Sequence, residues 1–267
     1  MKVILFANSN KPDTVECMLK LSGIASKNGV ECLPIDCEER LSSLSEDKWD
    51  DVFCVISVGG DGTILRAASA AAVYGKPVLG VNMGRIGFFS EIGADDFESA
   101  LKKLDRGEYS IESSSMLSCN LGGVSLGSCL NDFVIHRQEL SSITHFDLEI
   151  DGGTVGDVMA DGLIVGTPAG STAYTMSAGG PVVAPKLDCI LATPICPHSL
   201  TVRPIVASVS SLIVVRIKSA CRLSMDGQDL RVLGPGDVLS FRHSDKTARF
   251  VRFENRNVFR LIREKLK

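Results

Sequence analysis

The chain has 267 residues, of which 45% are hydrophobic and 22% charged, with a formal net charge of -4. That balance is ordinary for a soluble globular protein, and at roughly 100–200 residues per domain it makes one large domain or two modest ones. The negative charge speaks against nucleic acid or an acidic membrane as a partner, although backbone amides could still hold a small anion. The nine cysteines are scattered and include no Cys-x-x-Cys pair, which argues against a zinc site or a disulfide framework and for a reduced, cytoplasmic setting. The apolar run at residues 3–7 is too short for a signal peptide. No run of about 18 apolar residues exists to span a membrane.

In chain order, residues 3–7 read as a buried strand. Pro12 then opens a helix on which Val15, Met18, Leu19, Ser22 and Ala25 recur at helical spacing, and Asn28-Gly29 stops it. Residues 30–35 and the strongly apolar 52–58 are further strands. A glycine-rich turn and an Ala-rich helix to Val73 follow, then a short strand at 78–81 and a helix at 95–105 with Phe97, Leu101 and Leu104 on one face. This alternation predicts a Rossmann-like parallel sheet covered by helices, with its ligand site beyond the carboxyl ends of the strands. From about residue 109 the texture changes to short alternating runs, at 117–121, 129–136, 145–150, 163–166, 212–217, 221–225 and 238–242. Asp151-Gly152, Asp226-Gly227 and Gly234-Pro235-Gly236 punctuate them. The expectation is therefore an α/β domain over 1–108, to which 249–267 returns, and an antiparallel β-rich domain over 109–248.

Four motifs carry chemistry. Gly59-Gly60-Asp61-Gly62-Thr63 lies between a buried strand and a helix. Its glycines let the backbone approach a phosphate, and the helix start adds free N–H groups. A plain phosphate cradle gains nothing from a carboxylate, so Asp61 either takes a proton from an attacking hydroxyl or holds Mg²⁺. The plain alternative is a tight turn with Asp61 as helix N-cap. The second motif, residues 80–89, offers Asn82 to a nucleotide, Arg85 to a phosphate, and Phe88 and Phe89 as faces for a base; alternatively the phenylalanines are core. The third, Asn131-Asp132, puts two polar groups into an apolar strand, where ribose hydroxyls or a base would partner them; the plain alternative is a β-bulge or a turn stabilised by Asx bonding. The fourth, residues 161–174, runs from Asp161-Gly162 through Thr167-Pro168-Ala169-Gly170-Ser171-Thr172-Ala173-Tyr174 into a helix carrying Ser177. Its small residues suggest a close backbone approach, and Thr172 and Ser177 could bond a ligand or cap the helix.

Together these stretches resemble the NAD kinase family. Further matches are Ser177-Ala178-Gly179-Gly180-Pro181, residues 193–200, Arg203-Pro204-Ile205 and Asp226-Gly227-Gln228. The first motif alone is shared with phosphofructokinases and diacylglycerol-type lipid kinases; residues 161–181 specify NAD kinase. The resemblance implies transfer of a phosphoryl group from ATP, or inorganic polyphosphate, to the 2′-hydroxyl of the adenosine ribose of NAD, with Mg²⁺ or another divalent cation. It implies that NAD lies between two domains. Gly59, Gly60, Gly62 and Thr63 would hold the donor phosphates, and Asp61 would act at the hydroxyl. Asn82, Arg85, Phe88, Asn131, Asp132, Asp161, Thr172, Ala173, Tyr174, Ser177 and Asp226 would contact NAD. It also implies a homodimer or homotetramer in which a neighbouring subunit completes the site, with residues 193–200 as the bridging part and His198 a loop residue there. Many relatives carry Glu where this chain has Asp132, so the reach of that contact differs.

A lipid kinase would share the first motif but has no use for residues 167–174 and needs a membrane-facing surface. A 6-phosphofructokinase should be longer and carry basic residues for a sugar phosphate. A dinucleotide sensor without turnover would gain nothing from Asp61 beside phosphates.

Overall fold

The computed structural model describes residues 1–84, 87–139, 141–254 and 258–265. The chain divides into two compact units, Met1–Ser113 with Thr247–Lys267, and Ser114–Lys246.

The first unit runs β1 (Lys2–Phe6), α1 (Pro12–Lys27), β2 (Glu31–Ile35), α2 (Glu38–Ser42), α3 (Glu46–Asp50), β3 (Val52–Val58), α4 (Asp61–Val73), β4 (Val78–Asn82), β5 (Ile92–Gly93) and α5 (Phe97–Asp105). Its strands are parallel in the order β2-β1-β3-β4, with β5 beside β4. The order reverses between β1 and β3, so the loops leaving these two strands flank the crevice where open α/β sheets bind ligands. Val3, Leu5, Cys54, Ile56, Leu79 and Val81 form one core with Met18, Leu21 and Ala25 of α1 and Phe97, Leu101 and Leu104 of α5. Each Val, Leu, Ile, Met or Phe side chain among these contributes roughly 1.5–3 kcal/mol through burial.

The inward stripe of α1 is Thr14, Met18, Leu21 and Ala25. Leu19 is 57% exposed, because it sits one residue round the helix from Met18. α2 and α3, not expected from the sequence, are five residues each and bury only Leu41 and Trp49 respectively. One apolar anchor per helix leaves no period to read.

Strand β6 (Ser110–Leu121) leads into the second unit, which continues with β7 (Val124–Cys129), β8 (Asp132–Arg137), β9 (Thr144–Ile150), β10 (Gly153–Ala160), β11 (Gly162–Gly166), α6 (Tyr174–Ser177), β12 (Cys189–Ile195), β13 (Ile205–Ser208), β14 (Ile213–Ile217), β15 (Cys221–Met225), β16 (Gln228–Leu233) and β17 (Val238–Arg252). One antiparallel sheet has the order β13-β12-β11-β8-β15-β16; the other runs β10-β9-β14-β17, with β6 pairing to β17 and β7. Phe133, Ile135, Leu163, Val165 and Leu223 of the first sheet meet Phe146, Leu148, Val215 and Phe241 of the second in a single core. Asp151 and Asp226 take positive φ angles of 52° and 49°, as two-residue hairpin turns require.

Two strand expectations are corrected. The strand expected at 129–136 is two strands, β7 ending at Cys129 and β8 starting at Asp132. The strand expected at 238–242 extends to Arg252. Its last residues return to the first unit, where Phe250 pairs with Val78 of β4 and Val251 joins the core, before α7 (Val258–Lys265). Burial pushes the thiols of Cys54, Cys119 and Cys221 up to about 12, so they serve as small apolar fillers. Among the described residues no helix is long and apolar enough to cross a membrane.

Candidate active site

In the first unit the glycine-rich motif is the turn from β3 to α4. Gly59 has φ 149°, and a Cβ there would lie 2.8 Å from Thr63 Oγ1, so the position is built for glycine. Gly60 is the N-cap, and its carbonyl accepts from the N–H groups of Thr63 (2.9 Å) and Ile64 (3.2 Å). Asp61 is the first residue of the helix, and no side chain caps α4. The N-cap alternative for Asp61 therefore does not hold. Its carboxylate reaches the second motif instead: Oδ2 accepts from the Phe88 N–H at 2.9 Å and Oδ1 from the Phe89 N–H at 3.0 Å. The first two motifs thus meet at Asp61. The loop leaving β1 emerges beside them, since β1 and β3 are neighbours. In that loop Asn8 Oδ1 accepts from the Asn10 N–H at 3.0 Å. An Asn-Ser-Asn turn carries no chemical signature of its own, so the sequence does not single it out.

Asn82 is buried and its Oδ1 accepts from the Gly84 N–H at 3.0 Å, so it shapes the loop that follows β4. Phe88 is half-buried. Phe89 is core: it stacks on Phe250 with centroids 5.4 Å apart, which removes it as a platform for a base. Arg85 lies outside the described residues.

In the second unit the third and fourth motifs form one cluster. Asn131-Asp132 is a turn and not part of a continuous strand, and Asp226 holds it. Asp226 Oδ2 accepts from the Leu130 N–H (2.9 Å), and Oδ1 accepts from Asn131 (2.8 Å) and Asp132 (3.2 Å). The 166–172 segment closes on the same turn. The Thr167 N–H donates to the Asn131 carbonyl at 2.9 Å, and the Thr167 hydroxyl to the Leu130 carbonyl at 2.5 Å. A Cβ on Gly170 would lie 2.2 Å from the Asn131 carbonyl oxygen. The close approach suggested by these small residues is therefore to the Asn131 backbone.

Asp132 is 5% exposed. Burial, with the Asp226 charge as the second cause, pushes its carboxyl up to about 7, so at neutral pH it is divided between donor and acceptor forms. Thr172 and Ala173 are half-buried, Tyr174 and Ser177 exposed. The Thr172 hydroxyl donates to the Ala169 carbonyl at 3.3 Å, and no side chain caps α6.

Asp161 stands apart. In the register of β11 against β8, Gly166 faces Asp132 while Gly162 faces His136. Asp161 is therefore at the other end of the strand, on the order of 15 Å from Asp132 at ~3.4 Å per residue. There it pairs with Arg137 at 3.0 Å, a partner no motif indicated. His198 is exposed, and its N–H donates to the Met159 carbonyl at 2.9 Å.

Comparison with known proteins agrees with these motifs. Residues 28–109 match the ATP-NAD kinase N-terminal domain and residues 130–253 the ATP-NAD kinase C-terminal domain. An NAD kinase of Methanothermobacter thermautotrophicus is 36% identical over 100% of this chain and 96% of its own. One of Symbiobacterium thermophilum is 39% identical over 82% of this chain and 80% of its own. Among solved structures, yeast NADH kinase complexed with NADH superposes with a TM-score of 0.88 at 25% identity, covering 100% of this chain and 87% of that one. An NAD kinase from Archaeoglobus fulgidus in complex with ATP gives 0.79 at 27% identity, covering 99% and 98%. The chain belongs to the NAD kinase family.

Proposed function

We propose that this enzyme transfers the terminal phosphoryl group of ATP to the 2′-hydroxyl of the adenosine ribose of NAD, giving NADP and ADP, with Asp61 as the group that acts on the hydroxyl. The observation that carries the residue assignment is the placement of one carboxylate at the glycine turn on the carboxyl edge of the parallel sheet, held there by two amides. Phosphoryl transfer needs positioning and charge neutralisation more than covalent chemistry. The start of α4 and the turn of Gly59, Gly60, Gly62 and Thr63, where the helix dipole is positive and little side chain intervenes, suit the donor phosphates. As a carboxylate, Asp61 is suited to orient the 2′-hydroxyl and accept its proton.

Asn131 and Asp132 are assigned to the NAD adenosine, where a carboxyl titrating near neutrality both donates and accepts. Thr172, Ala173, Tyr174 and Ser177 of the second unit are assigned to the rest of the dinucleotide. Asp226 is given a supporting part, because its carboxylate carries the 130–132 turn.

Mg²⁺ keeps most of its ligands as water and substrate phosphate and takes one or two carboxylates from protein. Asp61, a single carboxylate at the glycine turn, is the residue that would supply such a ligand. When bound, the ion neutralises charge on the donor phosphates.

The position of Asp161 favours a homo-oligomer in which it serves a neighbouring subunit. The exposed apolar side chains Leu187, Leu200 and Val206 offer surface for such an assembly. The decisive assay is incubation with NAD, ATP and Mg²⁺, read by an NADP-specific dehydrogenase, with polyphosphate as a second donor. Formation of NADP is expected; none with either donor ends the proposal.

A further inference from the structure

The Phe88 and Phe89 amides that hold Asp61 are themselves held from behind. The Gly87 N–H donates to the hydroxyl of fully buried Ser90 at 2.6 Å, and the Glu91 N–H to the Gly80 carbonyl at 2.8 Å. Arg252, the last residue of β17, is 6% exposed. Its Nη1 donates to the Phe89 carbonyl at 3.2 Å and to Glu91 at 3.2 Å, and its Nε bonds Glu112. Its guanidinium lies 5.1 Å from the centroid of the Phe250 ring, which in turn stacks on Phe89. The Phe253 N–H completes the set by donating to Glu91 at 2.9 Å. Phe89 is therefore gripped at both polar groups, its N–H by Asp61 and its carbonyl by Arg252. A buried cation between two carboxylates is weak evidence for net stability, since desolvation offsets much of the attraction. The planar guanidinium does fix three acceptors in one geometry, which an ammonium does not.

The opposite side is set by a single glycine. A Cβ at residue 87 would lie 2.0 Å from Asp61 Oδ1 and 2.5 Å from its Cγ. Because the obstacle is a side-chain end, the fold would survive by swinging the carboxylate off its two amides.

We propose that Arg252 and Gly87 are positioning residues for Asp61: Arg252 fixes the peptide on which the carboxylate rests, and the missing side chain at 87 leaves the space it occupies. This rests on the reading of Asp61 as the group acting at the 2′-hydroxyl. A displacement of about 1 Å at a reacting group costs on the order of 100-fold in rate, so the predicted effect falls on kcat.

The test uses the full chain with NAD, ATP and Mg²⁺. Arg252→Lys keeps a cation between Glu91 and Glu112 but cannot also keep the grip on Phe89. It is expected to lower kcat at least about tenfold, with both KM values within about threefold of wild type. In an Asp61→Asn background, the same substitution is expected to change the residual kcat by less than about twofold, because effects through a shared group do not add. Gly87→Ala is expected to show the same kcat loss with KM retained, and it decides the matter if Arg252→Lys does not fold. Wild-type kcat in either folded variant, or an equal loss from Arg252→Lys in both backgrounds, overturns the proposal. Wild-type turnover in Asp61→Asn alone would instead remove the parent reading, and it is seen without any second substitution.

Discussion

At the scale of single residues, two aspartates carry opposite physics. Asp61 is half-buried and bonded through both oxygens. Asn at this position keeps one acceptor and loses the other, a cost of about 1 kcal/mol. Asp61→Asn is expected to fold and to lose on the order of 10² or more in kcat, measured by steady-state NADP formation beside a thermal melt; near-normal turnover would take the residue out of the mechanism. Asp132 is buried close to a second carboxylate, and its pKa rises from 3.8 to about 7. Below 3.8 the folded and unfolded chains both hold the proton. Between 3.8 and about 7 only the folded chain does, so stability falls as pH rises and levels off above the folded value. Asp132→Asn does not titrate. It should gain on wild type across this window, by up to roughly 4 kcal/mol at pH 8, in denaturant unfolding at a series of pH values. Parallel stability profiles for the two proteins would show that the carboxyl is not strained in this way.

At the scale of elements, the decisive feature is the closure of the 166–172 segment on the Asn131 turn. The Gly170 position faces backbone, with the Asn131 carbonyl oxygen 2.2 Å from where a Cβ would stand, and backbone cannot yield as a side-chain end can. Gly170→Ala should cost about 2 kcal/mol or more, lowering the melting temperature by several degrees. It should also raise KM for NAD, because the turn carrying Asn131 and Asp132 must shift. An unchanged melt and KM would contradict this geometry. Both segments of this closure are legible in the chain as Asn131-Asp132 and Thr167-Pro168-Ala169-Gly170. That Asp226, a hairpin-turn residue far along the chain, supplies the acceptor for three successive amides was not visible, because turn chemistry gives the local conformation and not its distant partner.

At the scale of the whole molecule, Asp161 is separated from Asp132 along β11, and co-expression tests whether one chain or two make up a site. If Asp161 serves a neighbouring subunit, Asp61→Asn and Asp161→Ala chains, each inactive alone, should complement when co-expressed with different tags. In a dimer, statistical pairing leaves one intact site in half the molecules, so roughly a quarter of wild-type turnover is expected. Absence of any recovery in purified mixed oligomers would assign Asp161 to its own chain or to its Arg137 pair alone.

The sequence by itself determined the family, the parallel-then-antiparallel order of strands and the placement of Asp61 at a phosphate-type turn. These depend on hydrophobic period and on glycine chemistry, both local properties of the chain. Only the tertiary structure decided that Asp61 rests on the Phe88 and Phe89 amides, that Phe89 is core, that Asp161 pairs with Arg137, and that the final strand delivers Arg252 to the Phe89 carbonyl. Each of those contacts joins residues distant in sequence. A single chain records what groups are present and how each segment is locally inclined to fold; packing alone selects which groups meet.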